Sequence, residues 1–265
     1  MLRKLLKHEF RATARIMGPL YLVLLLTAVG GNFALRVMDH SQSQVLNALA
    51  GLLMFAFVFA IMGVCIMSLV LMIQRFYKNL MGDEGYVMFT LPVSVHQQVW
   101  SKLIVSSVWF IATGAAVILA ALIMSFDVSL VGYTWDVIQE ILGQITAYYA
   151  LNGTAIFLEL LVLIFVSCAA ACLQFYAAMA VGHSFANHKG LWSVGVFFVS
   201  QFALQFLGSI LLIALDFTNF SFDWITSGML AVHVVMVGSS LFMALYGALF
   251  YGVTTFTLKR HLNLE

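Results

Sequence analysis

The feature that most constrains this chain is a succession of long apolar runs separated by short polar segments. A helix needs about 20 apolar residues to cross the hydrocarbon core of a bilayer. Runs of that length cover residues 16–35, 46–73, 103–124, 154–182, 191–215 and 229–258. Inside lipid only helices and closed barrels satisfy the backbone hydrogen bonds, and barrel strands alternate in polarity, which these runs do not. The sequence therefore predicts an all-α, polytopic membrane protein with six transmembrane helices.

The composition excludes most other classes of protein. Of the 265 residues, 63% are hydrophobic and 9% are charged, and the mean hydropathy is +1.03. Soluble domains carry roughly 25% charged residues, because charge must cover their surface. A net charge of +1 gives no sign of a nucleic-acid partner. No segment between the runs is long enough for a soluble domain, so residues 1–265 are predicted to form a single transmembrane domain.

Residues 1–15 have the pattern of an amphipathic helix. One side carries Arg3, Lys4, Lys7, Arg11 and Arg15, and the other carries Leu2, Leu5, Leu6, Phe10 and Thr13. Glu9 is the one charged residue on the apolar side. We expect this leader helix to lie in the membrane interface, with Arg3, Lys4, Lys7 and Arg11 as anchors at the lipid headgroups. Gly18–Pro19 then predicts a turn into the first span.

The basic residues predict the orientation in the membrane. Of the 12 Lys and Arg residues, 11 fall in segments on the same side as the two termini, and only Arg36 falls on the opposite side. Cytoplasmic segments of membrane proteins carry the excess of Lys and Arg. Both termini, and the loop between the second and third spans, are therefore predicted to be cytoplasmic.

That cytoplasmic loop, residues 74–102, is the longest polar interruption with basic residues of its own. Gly82–Gly85 breaks the helix, residues 86–89 are apolar, and Pro92 keeps Leu91 out of a helical conformation. Ser94 and Gln97 have the spacing of a capping box, which starts a new helix that leads into the third span. Two interpretations remain open on this pattern. The apolar patch either dips back into the membrane or forms a knob that a soluble partner binds.

The segment GDEGYVMFTLPVS, followed by Lys102, resembles the first cytoplasmic loop of permease subunits of type-2 ABC exporters, especially the small ones of Gram-positive bacteria. The resemblance extends to the six spans, the basic leader and the cytoplasmic ends. It implies a bacterial plasma-membrane protein whose loop docks in a groove of a separate ATP-binding subunit. The implied docking residues are Asp83, Glu84, Tyr86, Val87, Met88, Phe89, Leu91 and Pro92. The outer loop at residues 216–228 departs from the family, because it is short for the re-entrant helices of some relatives.

No sequence motif for nucleotide binding occurs in the chain. It contains neither GxxxxGK[ST] nor GxGxxG, so the chain is predicted not to be an enzyme and to hold no cofactor or metal. Cys65, Cys168 and Cys172 lie in apolar runs, where they are expected to pack as small residues. The resemblance implies that ATP and Mg are bound by two copies of the ATP-binding subunit. It also implies a second copy of this chain, or a similar permease, as a partner in the membrane.

A few polar residues inside the spans are candidates for a transport pathway. Glu159 and His233 lie at similar depth near the outer ends of their spans, so a pair between them is possible. Gln201 and Gln205 share a helix face, and Gln174 lies on the inner half of the fourth span. The same glutamines could instead only join helices through hydrogen bonds.

Three functions remain open on the sequence. The leading hypothesis is the permease subunit of an ATP-driven exporter of a hydrophobic or amphipathic substrate, such as a peptide, lipid or drug, working by alternating access. The second is an ion-coupled secondary transporter with Glu159 and His233 as proton carriers. The third is a membrane sensor or scaffold that transports nothing.

Overall fold

The computed structural model describes residues 2–82, 94–126, 153–185, 187–217 and 229–260, together with positions 136, 139, 140 and 143. Within these residues the long elements are all helices. They are α1 Leu2–His40, α2 Gln44–Leu80, α3 Val95–Met124, α4 Gly153–Gly182, α5 Lys189–Phe217 and α6 Met229–Arg260. Each of the 6 is long and apolar enough to cross a membrane. For these residues, the predicted all-α class with six helices long and apolar enough to span a membrane is confirmed.

The predicted turn at Gly18–Pro19 is wrong, because α1 continues through Pro19. Proline lacks one backbone N–H, so continuing the helix sacrifices one hydrogen bond. A break at the same place would leave several backbone groups without partners in an apolar environment, which costs more. The described residues of the predicted leader are therefore the first turns of α1 and not a separate helix.

The chain divides into two compact units, which share α2 and α3. Unit 1 consists of residues 1–72 and 104–143, and unit 2 of residues 73–103 and 144–265. In unit 1, α1 contributes Leu24 and Ala28 to a buried cluster with Phe57, Val64 and Ala120. Residues four or seven apart lie on one face of a helix, so these positions form one packed stripe on α1 and another on α2.

Polar side chains also join α1 to α3 within unit 1. Trp109 donates its indole N–H to Thr13 Oγ1 at 2.7 Å, and Thr13 in turn donates to the Glu9 carbonyl at 2.8 Å. One turn further along α3, Thr113 Oγ1 lies 2.8 Å from Tyr21 Oη. These hydrogen bonds replace partners that water would supply outside a membrane.

The start of α1 has the sidedness that the sequence predicts. Arg3, Lys4, Lys7 and Arg11 are exposed, whereas Glu9 and Thr13 are buried within unit 1. The acid that interrupts the apolar side of the leader therefore lies in a protein interior, next to the polar contacts of α3.

Unit 2 is built around α4, which packs against both α5 and α6. A small-residue face allows the contact with α6: a Cβ added to Gly247 would lie 3.5 Å from the Cα of Ala170. The end of α2 packs on α4 as well, where the Phe76 and Tyr176 rings stack with centroids 4.0 Å apart. Both rings are fully buried.

A tight turn joins α4 to α5, as the sequence predicts for residues 183–190. Gly182 ends α4 in direct contact with the backbone of Ser193 on α5. His188 has a φ of 55°, and its carbonyl accepts the Trp192 N–H at 3.1 Å as α5 begins. The left-handed conformation of His188 lets the chain reverse in a few residues.

Candidate functional site

The residues predicted to dock an ATP-binding subunit lie outside the described part of the chain. They are Asp83, Glu84, Tyr86, Val87, Met88, Phe89, Leu91 and Pro92. The structure does describe the helix ends on both sides of them, and both ends belong to unit 2. The segment from residue 83 to residue 93 is therefore held at two defined points.

The helix ends themselves follow from local chemistry. α2 ends at Leu80, and the Gly82 N–H donates to the Tyr77 carbonyl at 3.0 Å. A Cβ added to Gly82 would lie 3.1 Å from the Lys78 carbonyl oxygen, so glycine suits this close passage. At the other side, Ser94 Oγ accepts the Gln97 N–H at 3.3 Å. The predicted N-terminal cap of α3 is confirmed, although a second bond back from Gln97 is not among the described contacts.

A polar cluster ties the start of α3 to the end of α6. His96 Nδ1 lies 2.6 Å from Tyr251 Oη, and Lys259 Nζ lies 2.9 Å from His96 Nε2. A charged lysine can only donate, so Nε2 accepts and Nδ1 carries the proton that is donated to Tyr251. Trp100, one turn along α3, places its ring 5.8 Å from that of Tyr251. We call His96, Trp100, Tyr251 and Lys259 the α3–α6 cluster.

On the other side of the segment, the end of α2 is fixed to α4. The Tyr77 ring meets the His183 imidazole edge-on with centroids 5.0 Å apart. His183 is buried, and its Nδ1 lies 3.0 Å from the Met179 carbonyl. Burial lowers the pKa of His183 and the Lys189 charge lowers it further, which outweighs the opposite effect of the hydrogen bond to the Met179 carbonyl. The lowered pKa favours the neutral imidazole, with Nδ1–H donating to the carbonyl.

Deeper in unit 2, the predicted pathway glutamines meet between α4 and α5. Gln174 donates through Nε2 to Ser200 Oγ at 3.1 Å, and its Oε1 accepts from Gln201 Nε2 at 3.2 Å. Gln174 is only 5% exposed, so both bonds satisfy a carboxamide that would otherwise be buried without partners. Gln174 and Gln201 therefore join α4 to α5 through hydrogen bonds, as one of the two interpretations of the sequence expects.

The same glutamines line a cavity between α4, α5 and α6 that opens to the surroundings, where Gln201 and Gln205 are exposed. Its volume is about 520 Å³, within the range of pockets that hold small ligands. The lining residues are Ser167, Ala170, Ala171, Gln174, Gln201, Leu204, Gln205, Phe242, Met243 and Tyr246. The three glutamines predicted as pathway residues are thus brought together at one cavity, and their role in a transport pathway stays a prediction.

Glu159 and His233 form a pair elsewhere on α4 and α6. His233 Nδ1 lies 2.8 Å from one oxygen of the Glu159 carboxylate and 2.9 Å from the other. Their side chains are 22% and 24% exposed, respectively. The possible pair is confirmed, but neither residue lines the 520 Å³ cavity. A carboxylate held on an imidazole can exchange a proton, which is the chemistry of a proton relay.

Sequence reasoning missed the contribution of α6 to both sites. Phe242, Met243 and Tyr246 line the cavity, and Tyr251 and Lys259 belong to the α3–α6 cluster. A tyrosine within an apolar run was the available signal, because its hydroxyl needs a partner when buried. No group of three or more His, Cys, Asp or Glu side chains that could hold a metal occurs among the described residues.

Comparison with known proteins adds no relative to this picture. No protein-family model, no curated protein and no solved structure matches the chain.

Proposed function

We propose that this chain is the membrane-spanning permease subunit of an ATP-driven exporter. The observation that carries the proposal is the attachment of both flanks of the 83–93 segment to the helices around the cavity. The start of α3 is bonded to α6, and the end of α2 is stacked on α4. A force applied to the segment would reach helices that line the cavity.

The connection from α3 to α6 reaches the cavity more directly than the connection from α2 to α4. Tyr251 is nine residues beyond Phe242, which corresponds to a rise of about 13 Å along the helix. An α-helix transmits a displacement over that distance without much deformation, so motion of His96 would shift the Phe242 and Tyr246 side chains against α5. Such a shift changes the shape of the cavity, as alternating access requires.

The partners follow from the resemblance and from the exposed charges. Two ATP-binding subunits would bind ATP and Mg and dock on the 83–93 segment, with Asp83 and Glu84 facing basic groups. A second copy of this chain, or a similar permease, would complete the complex in a bacterial plasma membrane. Exposure of Arg3, Lys4, Lys7 and Arg11 supports contact with anionic headgroups and cytoplasmic termini.

Purification of the tagged chain from its native membrane tests this function. We expect an ATP-hydrolysing subunit to co-purify, and ATPase activity to be lost from the complex with Phe89→Asp or Glu84→Arg. Phe89→Leu keeps an apolar side chain, and Asp39→Arg reverses a charge on the predicted outer side, so both controls should retain the subunit. A complex that survives Phe89→Asp and Glu84→Arg together would refute docking at this segment.

The Glu159–His233 pair favours a second candidate, an ion-coupled transporter. In proteoliposomes that contain the chain alone, a proton gradient would then drive transport of the substrate. Glu159→Gln would abolish this transport while the protein stays folded. Flux that needs ATP and its hydrolysing partner, and that persists when a protonophore removes the gradient, would exclude this candidate.

A further inference from the structure

We infer that the cavity between α4, α5 and α6 binds an uncharged amphiphile, whose amide or hydroxyl head group hydrogen-bonds to Ser167, Gln201 and Gln205. The inference rests on the proposed function and names the substrate class for it. Three properties of the lining carry it: the absence of charge, a set of open hydrogen-bonding groups, and an adaptable apolar wall.

The described lining of the cavity contains no acidic, basic or histidine side chain. The Glu159–His233 pair involves the same helix at Glu159, eight residues from Ser167, a rise of about 12 Å. A charged head group placed in the cavity would lose its hydration without gaining a counter-charge, which costs several kcal/mol in an apolar medium. A neutral head group avoids that cost.

The polar groups of the lining are only partly used by the protein. In the described part of the chain, neither the Ser167 hydroxyl nor the Gln205 carboxamide has a hydrogen-bond partner. Gln201 uses its Nε2 on Gln174, which leaves its Oε1 without a described partner. Gln201 and Gln205 lie about one turn apart on α5, so a head group with two polar atoms about 6 Å apart can reach both.

The apolar part of the lining suits a hydrocarbon tail. Phe242, Met243 and Leu204 contribute large side chains, and Ala170 and Ala171 leave the space that larger residues would fill. Methionine and aromatic side chains adapt to tails of varied shape, because the thioether is flexible and the rings offer flat contact surfaces. The cavity thus offers hydrogen bonds to one end of a ligand and dispersion contacts to the other.

Equilibrium binding to the purified full chain in phospholipid nanodiscs tests the inference. The probes are photoreactive molecules that each carry the same single acyl chain: a monoacylglycerol, an N-acyl dipeptide amide, a fatty acid and an acyl ammonium. We expect at least one neutral probe to bind about tenfold or more tightly than both charged probes. The better of the two neutral probes distinguishes a lipid from an acylated peptide as the source of the head group.

Variants locate the binding. Gln205→Leu and Ser167→Ala are each expected to weaken neutral-probe binding about three- to tenfold, the effect of one lost hydrogen bond. Ala171→Phe fills the cavity and should abolish binding. Ala203→Phe places the same bulk on the exposed, opposite face of α5 and should change nothing. Size-exclusion profiles and melting temperatures of all variants establish that each remains folded.

Equal binding of charged and neutral probes would overturn the inference, as would unchanged affinity in a folded Ala171→Phe protein. The assay uses no ATP-binding partner, so its outcome is separate from that of the docking experiment. If neutral probes bind selectively but no ATPase co-purifies, the binding site stands and the exporter function is refuted. If the chain belongs to an ATP-dependent exporter but does not bind neutral probes selectively, the function stands and the substrate class is refuted.

Discussion

Among the glycines that the structure describes, Gly182 is the one where an added methyl group meets the shortest contacts. It ends α4 against the first turns of α5, and a Cβ added there would lie 2.5 Å from Ser193 N and 2.6 Å from Ser193 Cα. Ordinary Cβ contacts begin at 3.4 Å. The nearest opposing atom is the Ser193 side-chain oxygen, but the other two are backbone atoms, which cannot rotate away. Gly182→Ala therefore requires α4 and α5 to separate locally by roughly 0.9 Å.

The expected cost follows from that displacement. Overpacking of a close contact costs about 1–3 kcal/mol, and a backbone obstacle places Gly182→Ala at the upper end, near 3 kcal/mol. An alanine in an unobstructed helix position is instead favoured over glycine by about 0.5–1 kcal/mol. Gly195 on α5 is such a position, because no atom lies within 4 Å of its added Cβ. The two variants should therefore differ by nearly 4 kcal/mol.

Thermal unfolding of the purified protein in detergent measures this difference. We expect Gly182→Ala to lower the melting temperature by roughly 5–10 °C and Gly195→Ala to leave it unchanged or raise it. Adding Ser193→Gly to Gly182→Ala should restore little, because the Ser193 backbone atoms remain in place. Equal melting temperatures for the two alanine variants, or full rescue by Ser193→Gly, would refute the contact as described.

Three further predictions concern the flanks of the 83–93 segment. Ser94→Ala should destabilise the start of α3 by about 1 kcal/mol through loss of the cap, whereas Ser94→Asp, which can also cap, should not; hydrogen exchange at Gln97 measures this. His96→Phe removes the two hydrogen bonds that His96 makes to Tyr251 and Lys259. The ATP-binding subunit should therefore still co-purify while substrate-stimulated ATP hydrolysis falls several-fold, and a matching loss of the complex would contradict the proposed transmission. The lowered pKa of His183 means that the unfolded chain takes up a proton near pH 6.5 before the folded chain does, so stability should decline as the pH falls below that value. His183→Gln should remove this part of the pH dependence in melting curves recorded from pH 7.5 to about pH 5.

The sequence was sufficient for features that depend on one helix at a time. Apolar length located the six helices, the Ser94–Gln97 spacing located the start of α3, and spacing of four placed Gln201 and Gln205 on one face. The same reasoning failed at Pro19, where it predicted a turn and the helix continues. A local rule for turns was outweighed by the need of a long apolar helix to keep its backbone hydrogen bonds.

Contacts between helices were beyond that reasoning, because they depend on how far each helix is shifted and rotated against its neighbour. His96 and Lys259 are 163 positions apart, and nothing in either run indicates that they meet. The Glu159–His233 pair could be suggested from similar depth, since depth is a one-dimensional property that hydropathy reveals. The hydrogen bond between Glu159 and His233 could not be predicted, because it also requires both side chains to point towards each other around their helix axes.

The polar positions of α4 explain how one helix can organise a cavity between apolar helices. Gln174 fixes the distance to α5, and Glu159 fixes the distance to α6. Between them lie small residues such as Ala170 and Ala171, which would let the neighbouring helices collapse inward if nothing else held them. Dispersion alone favours that collapse, because an empty space has no contacts across it. Hydrogen bonds in a medium without water resist it, because moving α5 would leave the buried Gln174 carboxamide unsatisfied. Replacing Gln174 with leucine should therefore shrink the cavity rather than simply loosen the protein, and a crystal structure of that variant would show α5 closer to α4.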